Sequence, residues 1–198
     1  MKTSMIERRH EVARQIAGLY APLSREGVMA FGQIIEPLKI GKGEIFLNEG
    51  EVARWMYYVE KGMVRQFYYK NGRDLTEHIS YEGNMVICLE SYLRQEPTRL
   101  MAETLEPTIL WCIGYDEINQ LSEQSIEISQ LYRKIFEYSL LVSQRKADLL
   151  RFETAADRYK RFLSLHPEIV KRAPLIHIAS LLQMTPETLS RVRATTLL

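Results

Sequence analysis

The chain has 198 residues, of which 46% are hydrophobic and 26% charged, so it can bury a core and its composition does not favour disorder. The N-terminal residues lack the apolar run of a signal peptide, and no stretch reaches the length that spans a bilayer. The two cysteines, Cys88 and Cys112, cannot supply an iron–sulfur cluster. We therefore expect a cytoplasmic globular protein with no membrane partner, no metal site and no cofactor.

The charges are distributed unevenly along the chain. The net charge is +1, but residues 145–198 hold ten Lys and Arg against five Asp and Glu, a net of +5, whereas residues 1–144 have a net of −4. A basic segment is expected where a protein meets phosphates. Chance would also produce such an asymmetry, so the charge by itself leaves both interpretations open.

The first part of the chain changes from a helical to a strand pattern. Residues 5–20 predict a short amphipathic helix. From 38 to 113, short alternating segments are separated by glycines, and Asn71-Gly72 is a strong hairpin signal because both turn positions favour positive φ. This spacing predicts a β-sandwich or barrel. The apolar face of the first helix is formed by Ile6, Val12, Ile16 and Leu19.

After Gly114 the apolar residues recur at alternating steps of three and four, as in a heptad seam. The seam predicts a helix roughly 35–40 Å long. Two apolar faces on such a helix favour packing on its own domain and on a partner helix, so we expect a parallel homodimer, with a monomer as the alternative. Ile135 is expected to face the partner. The seam comprises Ile128, Leu131, Ile135, Tyr138, Val142, Leu149 and Phe152, and the second face Tyr132, Phe136 and Leu140.

The C-terminal residues are again helical, in shorter pieces bounded by two prolines, Pro167 and Pro174. Residues 175–192 have the pattern of a helix-turn-helix, with the small Ala179 where two helices cross. Thr185 is a good N-cap, and Pro186 suits the first helical turn. The buried face would comprise Ile178, Leu182, Met184, Leu189 and Val192. In the turn, Gln183 replaces the usual glycine and has to adopt a left-handed or strained backbone.

The second helix of this motif presents polar groups that can reach base edges and phosphates in the major groove of DNA. Lys171 and Arg172 precede the first helix, where they would reach phosphates only. An ordinary helical hairpin that does not bind DNA is the alternative interpretation. The predicted DNA-facing residues of the second helix and its cap are Thr185, Pro186, Glu187, Thr188, Ser190, Arg191 and Arg193.

Three segments resemble motifs of the Crp/Fnr family of bacterial regulators. Residues 43–51 (GEIFLNEGE) and 57–65 (YYVEKGMVR) resemble the opening β-roll motifs, and residues 185–191 (TPETLSR) are similar to the recognition helix, with Glu187 and Arg191 at base-contacting positions. The order of the parts is also the same.

The resemblance implies an α+β fold in three parts. These are N-terminal helices with an antiparallel, cyclic-nucleotide-binding-like β-roll of jelly-roll type at 1–123, a long dimerisation helix at 124–152, and a helix-turn-helix domain at 153–198. It also implies a sequence-specific transcription regulator that binds double-stranded DNA as a homodimer, with RNA polymerase as a candidate partner.

Two departures from the family bear on function. Members that bind cyclic nucleotides carry a Gly-Glu pair and, about ten residues on, an arginine for the phosphate. Here residues 87–93 contain no glycine, and Thr98 falls at the arginine position. We therefore expect no cyclic AMP binding and an unknown effector, with Glu90, Ser91, Thr98 and Arg99 as the candidate pocket residues. The stretch before the helix-turn-helix looks helical, so the family's β-wing is expected to be reduced or absent.

Two other classes of function compete with a regulator. One is a small-molecule-binding β-roll whose helical tail mediates assembly rather than DNA binding. The other is an enzyme of the cupin type, which needs clustered histidine and carboxylate ligands. Of the four histidines only His78 lies in the strand region, and no phosphate-binding loop or hydrolase motif is present. We therefore do not expect an enzyme.

Overall fold

A computed structural model describes residues 2–196 of the chain, and the side chains of residues 5–195. Helices and strands follow the predicted order: N-terminal helices, a β-roll, a long helix and shorter C-terminal helices. The helices are α1 (Lys2–Tyr20), α2 (Arg25–Ile34), α3 (Leu89–Arg94), α4 (Tyr115–Gln124), α5 (Ile126–Phe152), α6 (Ala155–Leu165), α7 (Pro167–Arg172), α8 (Leu175–Leu181) and α9 (Pro186–Thr196). The strands are β1 (Ile35–Ile40), β2 (Ile45–Leu47), β3 (Trp55–Lys61), β4 (Met63–Lys70), β5 (Arg73–Tyr81), β6 (Met85–Val86), β7 (Met101–Thr104) and β8 (Thr108–Gly114).

The strands form two antiparallel four-stranded sheets, in the orders β1-β8-β3-β6 and β2-β7-β4-β5. This confirms the predicted β-roll. The β4–β5 hairpin turns at Asn71 and Gly72, whose φ angles are 52° and 73°, as the hairpin signal predicts. Apolar side chains of both sheets, such as Val59, Val64 and Leu110, pack between them. The interior of the roll is therefore occupied by the protein's own side chains at this level.

The N-terminal helices and the first half of α5 share one core with the β-roll. Val12 and Ile16 are buried in it as predicted, but the predicted face is wrong at its ends, because Ile6 and Leu19 are exposed. Ala13 and Ala17 take buried positions in place of these two residues. Small side chains there let neighbouring elements approach α1 closely.

The structure corrects the predicted role of Ile135. Ile128, Leu131 and Ile135 are fully buried in the core of their own domain, so this part of the seam does not face a partner. Tyr132 and Phe136, on the second predicted face, pack against the same core. A heptad pattern predicts that one face of a helix is buried. It does not indicate whether elements of the same chain or a second copy of the chain cover that face. Towards the C-terminal end of α5 the apolar side chains of Tyr138, Leu140 and Leu141 are exposed.

The C-terminal helices α6 to α9 enclose a second core, to which Met63 and Ile79 of the β-roll also contribute. These helices are therefore docked on the β-roll. Their boundaries confirm both proline signals, since α7 begins at Pro167 and α8 begins directly after Pro174. Between 153 and 196 the described backbone contains no strand. Within the described residues, no helix is both long and apolar enough to cross a membrane.

Candidate nucleic-acid interface

The turn between α8 and α9 has the geometry that the sequence predicts. Gln183 adopts a left-handed backbone with φ of 51°. The chain is held there by two backbone hydrogen bonds, from Gln183 N to Ser180 O and from Met184 N to Ala179 O, both 3.0 Å long. Because Ala179 is buried at this point, a larger side chain would push the two helices apart. The turn therefore fixes the direction in which α9 leaves α8.

The start of α9 is also formed as predicted. The Thr185 hydroxyl accepts a hydrogen bond from Thr188 N at 3.2 Å, and the helix begins at Pro186. Ile178, Leu182 and Leu189 are buried, and Met184 and Val192 pack half-buried against the same core. The predicted buried face is thus confirmed.

The opposite face of α9 is open to solvent and polar. Arg191 is exposed, and its Nη2 lies 3.5 Å from the Thr188 hydroxyl. Thr188 and Arg193 are half-buried, and Arg193 Nε is buried with no hydrogen-bond partner among the described residues. Arg193 is therefore turned partly inward, and the open polar surface is formed by Thr185, Pro186, Glu187, Ser190 and Arg191.

The two cations predicted to reach phosphates differ in their surroundings. Lys171 is exposed and pairs with Glu168 on its own helix at 2.8 Å. Arg172 instead reaches the β-roll, where its Nη1 lies 2.8 Å from Glu82 Oε2 and its Nη2 also contacts Glu106. Hydrogen bonding by Arg172 lowers the pKa of Glu82 to about 2. Arg172 is thus neutralised by two carboxylates of the β-roll, which local sequence gives no means of predicting.

A second polar contact between the two parts of the chain centres on Arg65. Its guanidinium is buried, lies 3.9 Å from the centre of the Phe67 ring, and pairs with Glu103 at 2.7 Å and Asp74 at 2.6 Å. Arg65 Nη1 also donates to His177 Nδ1 on α8 at 2.8 Å. Burial, and then the charge of Arg65, lower the pKa of His177, which favours the neutral ring. Sequence analysis missed this contact because its members are up to 112 residues apart.

The four candidate pocket residues differ in burial, with two enclosed by the protein and two open to solvent. Ser91 is buried; its hydroxyl accepts from Ala53 N at 2.9 Å and donates to Glu96 O. Thr98 is buried and its hydroxyl accepts from Leu100 N at 2.9 Å. Glu90 and Arg99 are both exposed, and Glu90 pairs with Arg94 at 3.9 Å.

The side chain of Gln66 is hydrogen-bonded to this segment. Gln66 Nε2 donates to Ile87 O at 3.1 Å and to Cys88 Sγ at 3.2 Å. Both cysteines are free and buried, and burial raises the pKa of Cys88 to about 11 and that of Cys112 to about 12. The thiols therefore remain protonated and unreactive at neutral pH. Among the described residues, no group of three or more His, Cys, Asp or Glu is placed to hold a metal ion.

Comparison with known proteins identifies a domain in the first part of the chain. Residues 37–125 match the family model of the cyclic nucleotide-binding domain. No curated protein matches the sequence significantly.

Similar solved structures cover most of the chain. FixK2 from Bradyrhizobium japonicum is 20% identical over 82% of this chain and 84% of that chain, with a TM-score of 0.66. The catabolite activator protein of Thermus thermophilus is 20% identical over 91% and 85%, with a TM-score of 0.56. CLP of Xanthomonas campestris, a global regulator responsive to c-di-GMP, is 20% identical over 85% and 89%, with a TM-score of 0.65. Residues 37–125 therefore match the cyclic nucleotide-binding domain, and the chain shares the fold of these solved structures.

Proposed function

We propose that the protein is a sequence-specific DNA-binding transcription regulator that uses α9 as its recognition helix. The observation that carries this proposal is the α8–turn–α9 unit, with a left-handed Gln183, a Thr185 cap and a polar face of α9 open to solvent. The fold shared with FixK2, the catabolite activator protein and the global regulator CLP supports a binding rather than a catalytic role. The protein would work in the cytoplasm, with RNA polymerase as a candidate partner.

Arg191 is the residue on this face best suited to reading a base. An exposed arginine near the start of a recognition helix can donate two parallel hydrogen bonds to guanine, which contributes about 1–3 kcal/mol of discrimination. Lys171, which is exposed, can reach phosphates only and would add affinity without specificity. Arg172 is left out of this set because Glu82 and Glu106 already neutralise it.

The proposal includes a homodimer about the C-terminal half of α5. Leu140 and Leu141 are 64% and 52% exposed, next to an exposed Tyr138, on a helix whose N-terminal half is covered by its own domain. A second copy of α5 would remove these side chains from water. A two-fold axis there would present two copies of α9 to two half-sites of one DNA, about one helical turn apart.

The effector of the β-roll is proposed to be something other than cyclic AMP. Two of the four candidate residues, Ser91 and Thr98, are buried and hydrogen-bonded to the protein backbone. The other two, Glu90 and Arg99, are exposed. None of them offers a buried cation at the place where a phosphate would need one.

A salt titration on a selected palindromic duplex and a random duplex of the same length tests the proposed function. Arg191→Ala should weaken binding to the selected duplex by about 1–3 kcal/mol more than binding to the random one. Lys171→Ala should weaken both equally and lower the salt slope by about one unit for each phosphate that is no longer neutralised. Arg25→Ala, an exposed position on α2, is the matched control and should change neither. If Arg191→Ala and Lys171→Ala reduce affinity in the same proportion on both duplexes, α9 is not the recognition helix.

A further inference from the structure

Arg158, in the first turn of α6, contacts the ends of two other helices at once. Its Nη1 donates to the backbone carbonyl of Glu153 at 2.9 Å, and its Nε donates to the carbonyl of Leu182 at 3.1 Å. Glu153 caps the C-terminal end of the 27-residue α5, and Leu182 caps α8. One half-buried side chain therefore connects the end of the long helix to the turn that precedes α9.

The chemistry of this contact is specific to arginine. Carbonyls at the C-terminal end of a helix lack intrahelical donors and carry partial negative charge, so a cation is favourable there. The guanidinium group is planar and presents its donors in fixed directions, so it can hold two carbonyls in a defined relative position. A lysine ammonium group is a point charge on a flexible stem and does not impose that geometry.

The carbonyl of Leu182 lies at the point where the direction of α9 is decided. The next residue, Gln183, has the left-handed backbone that turns the chain into α9. A shift of the Leu182 carbonyl relative to Glu153 would therefore change the angle between α9 and α5.

We propose that Arg158 is a positioning residue for DNA recognition, which holds α9 in a fixed direction relative to α5. This inference rests on the proposed function, a dimer that joins through α5 and reads DNA with α9. In such a dimer the angle between the two helices sets the distance between the two recognition helices. Arg158 thereby determines which spacing of half-sites the protein prefers. A residue that only stabilised the domain would affect binding at every spacing alike.

The test uses the full chain and three palindromic duplexes with the same selected half-sites, at the preferred spacing and with one base pair added or removed. The wild type is expected to bind the altered spacings about tenfold more weakly, since the base contacts of one half-site are then misplaced. In Arg158→Gln and Arg158→Lys this ratio should fall to about threefold or less. The control is Arg161→Gln, on the same helix, 61% exposed and paired with Glu153 at 2.7 Å, which should keep the wild-type ratio.

The outcomes separate the inference from the function on which it rests. If Arg158→Gln binds more weakly by the same factor at all three spacings and keeps the ratio, Arg158 is a stability residue and the inference is overturned. Circular dichroism checks that each variant is folded. If Arg158→Gln does not fold, the ratio of affinities at the preferred and altered spacings is measured in Arg158→Lys alone. Failure of both variants to fold also overturns the inference. A wild type that binds without a spacing preference overturns it too, whereas a wild type that binds no duplex contradicts the proposed function itself.

Discussion

Replacing Arg172 with alanine is expected to weaken the docking of the C-terminal helices on the β-roll. Arg172 belongs to α7, and its two carboxylate partners belong to the β-roll, Glu82 just after β5 and Glu106 just before β8. Glu82 also accepts from Gly62 N at 2.8 Å, which holds its carboxylate in place. Removal of the guanidinium would leave two neighbouring carboxylates without their cation.

The magnitude of the destabilisation follows from the exposure of the three side chains. Fully exposed ion pairs contribute about 0–1 kcal/mol, whereas hydrogen bonds to charged groups contribute about 1.5–3 kcal/mol when shielded. Arg172, Glu82 and Glu106 are 24%, 39% and 29% exposed, which lies between these cases. We expect a decrease of about 2 kcal/mol in the free energy of unfolding, equivalent to a decrease in Tm of about 4–8 °C for a chain of this size.

Urea denaturation of Arg172→Ala, Glu82→Gln and the double variant at pH 7 measures the coupling. Lys171→Ala is the control, because its pair with Glu168 is exposed and should contribute less than about 0.5 kcal/mol. The effect should also depend on pH. The pKa of Glu82 is about 2 in the folded chain against an ordinary 4.5, so its stabilisation is present above pH 4.5 and disappears as the pH falls towards 2. The difference between wild type and Arg172→Ala should therefore shrink over that range.

Two results would refute this account of Arg172. The first concerns stability at pH 7. If Arg172→Ala lowers the free energy of unfolding by less than about 0.5 kcal/mol, or by the same amount in the wild type and in Glu82→Gln, then Arg172 and Glu82 are not coupled. The second concerns DNA. Since Arg172 is already neutralised, Arg172→Ala should leave the salt slope of DNA binding unchanged. A decrease of about one unit would show that Arg172 reaches a phosphate, as its position in the sequence suggests.

Three further predictions concern the dimer, the turn and the pocket. Ile135→Asp should prevent folding, because it places a charge in a fully buried core, whereas Leu140→Asp, at an exposed position, should give a folded monomer. A wild type that is monomeric at micromolar concentration in analytical ultracentrifugation would contradict the dimer. Gln183→Gly should stabilise the chain by up to about 1 kcal/mol in urea denaturation, because glycine adopts φ of 51° without strain; a destabilised variant would argue against a left-handed turn. Titration calorimetry should detect no binding of cyclic AMP at micromolar concentration, and micromolar binding that is abolished in Arg99→Ala would show that the pocket is functional.

The sequence by itself determined the elements whose signals are local. The hairpin at Asn71-Gly72, the helix boundaries at Pro167 and Pro174, the cap at Thr185 and the left-handed Gln183 all depend on φ preferences and hydrogen bonds within a few residues. Such preferences are properties of the dipeptide or the first helical turn, so they persist in the folded chain. The buried face of the helix-turn-helix was predictable for a related reason, since helical periodicity defines a face without reference to its partner.

Only the tertiary structure decided what each face and each charge meets. The periodicity of α5 predicts burial of Ile135, but elements far away in the chain, including α1, α2 and the β-roll, form the core that buries it. Arg172, which the sequence predicts to contact phosphates, pairs instead with Glu106 and Glu82, 66 and 90 residues away. Arg158 donates to the carbonyl of Leu182, which is 24 residues further along the chain. Hydrogen bonds and ion pairs act over about 3–4 Å, so side chains distant in the sequence can form them only after the β-roll and the helices have been brought together.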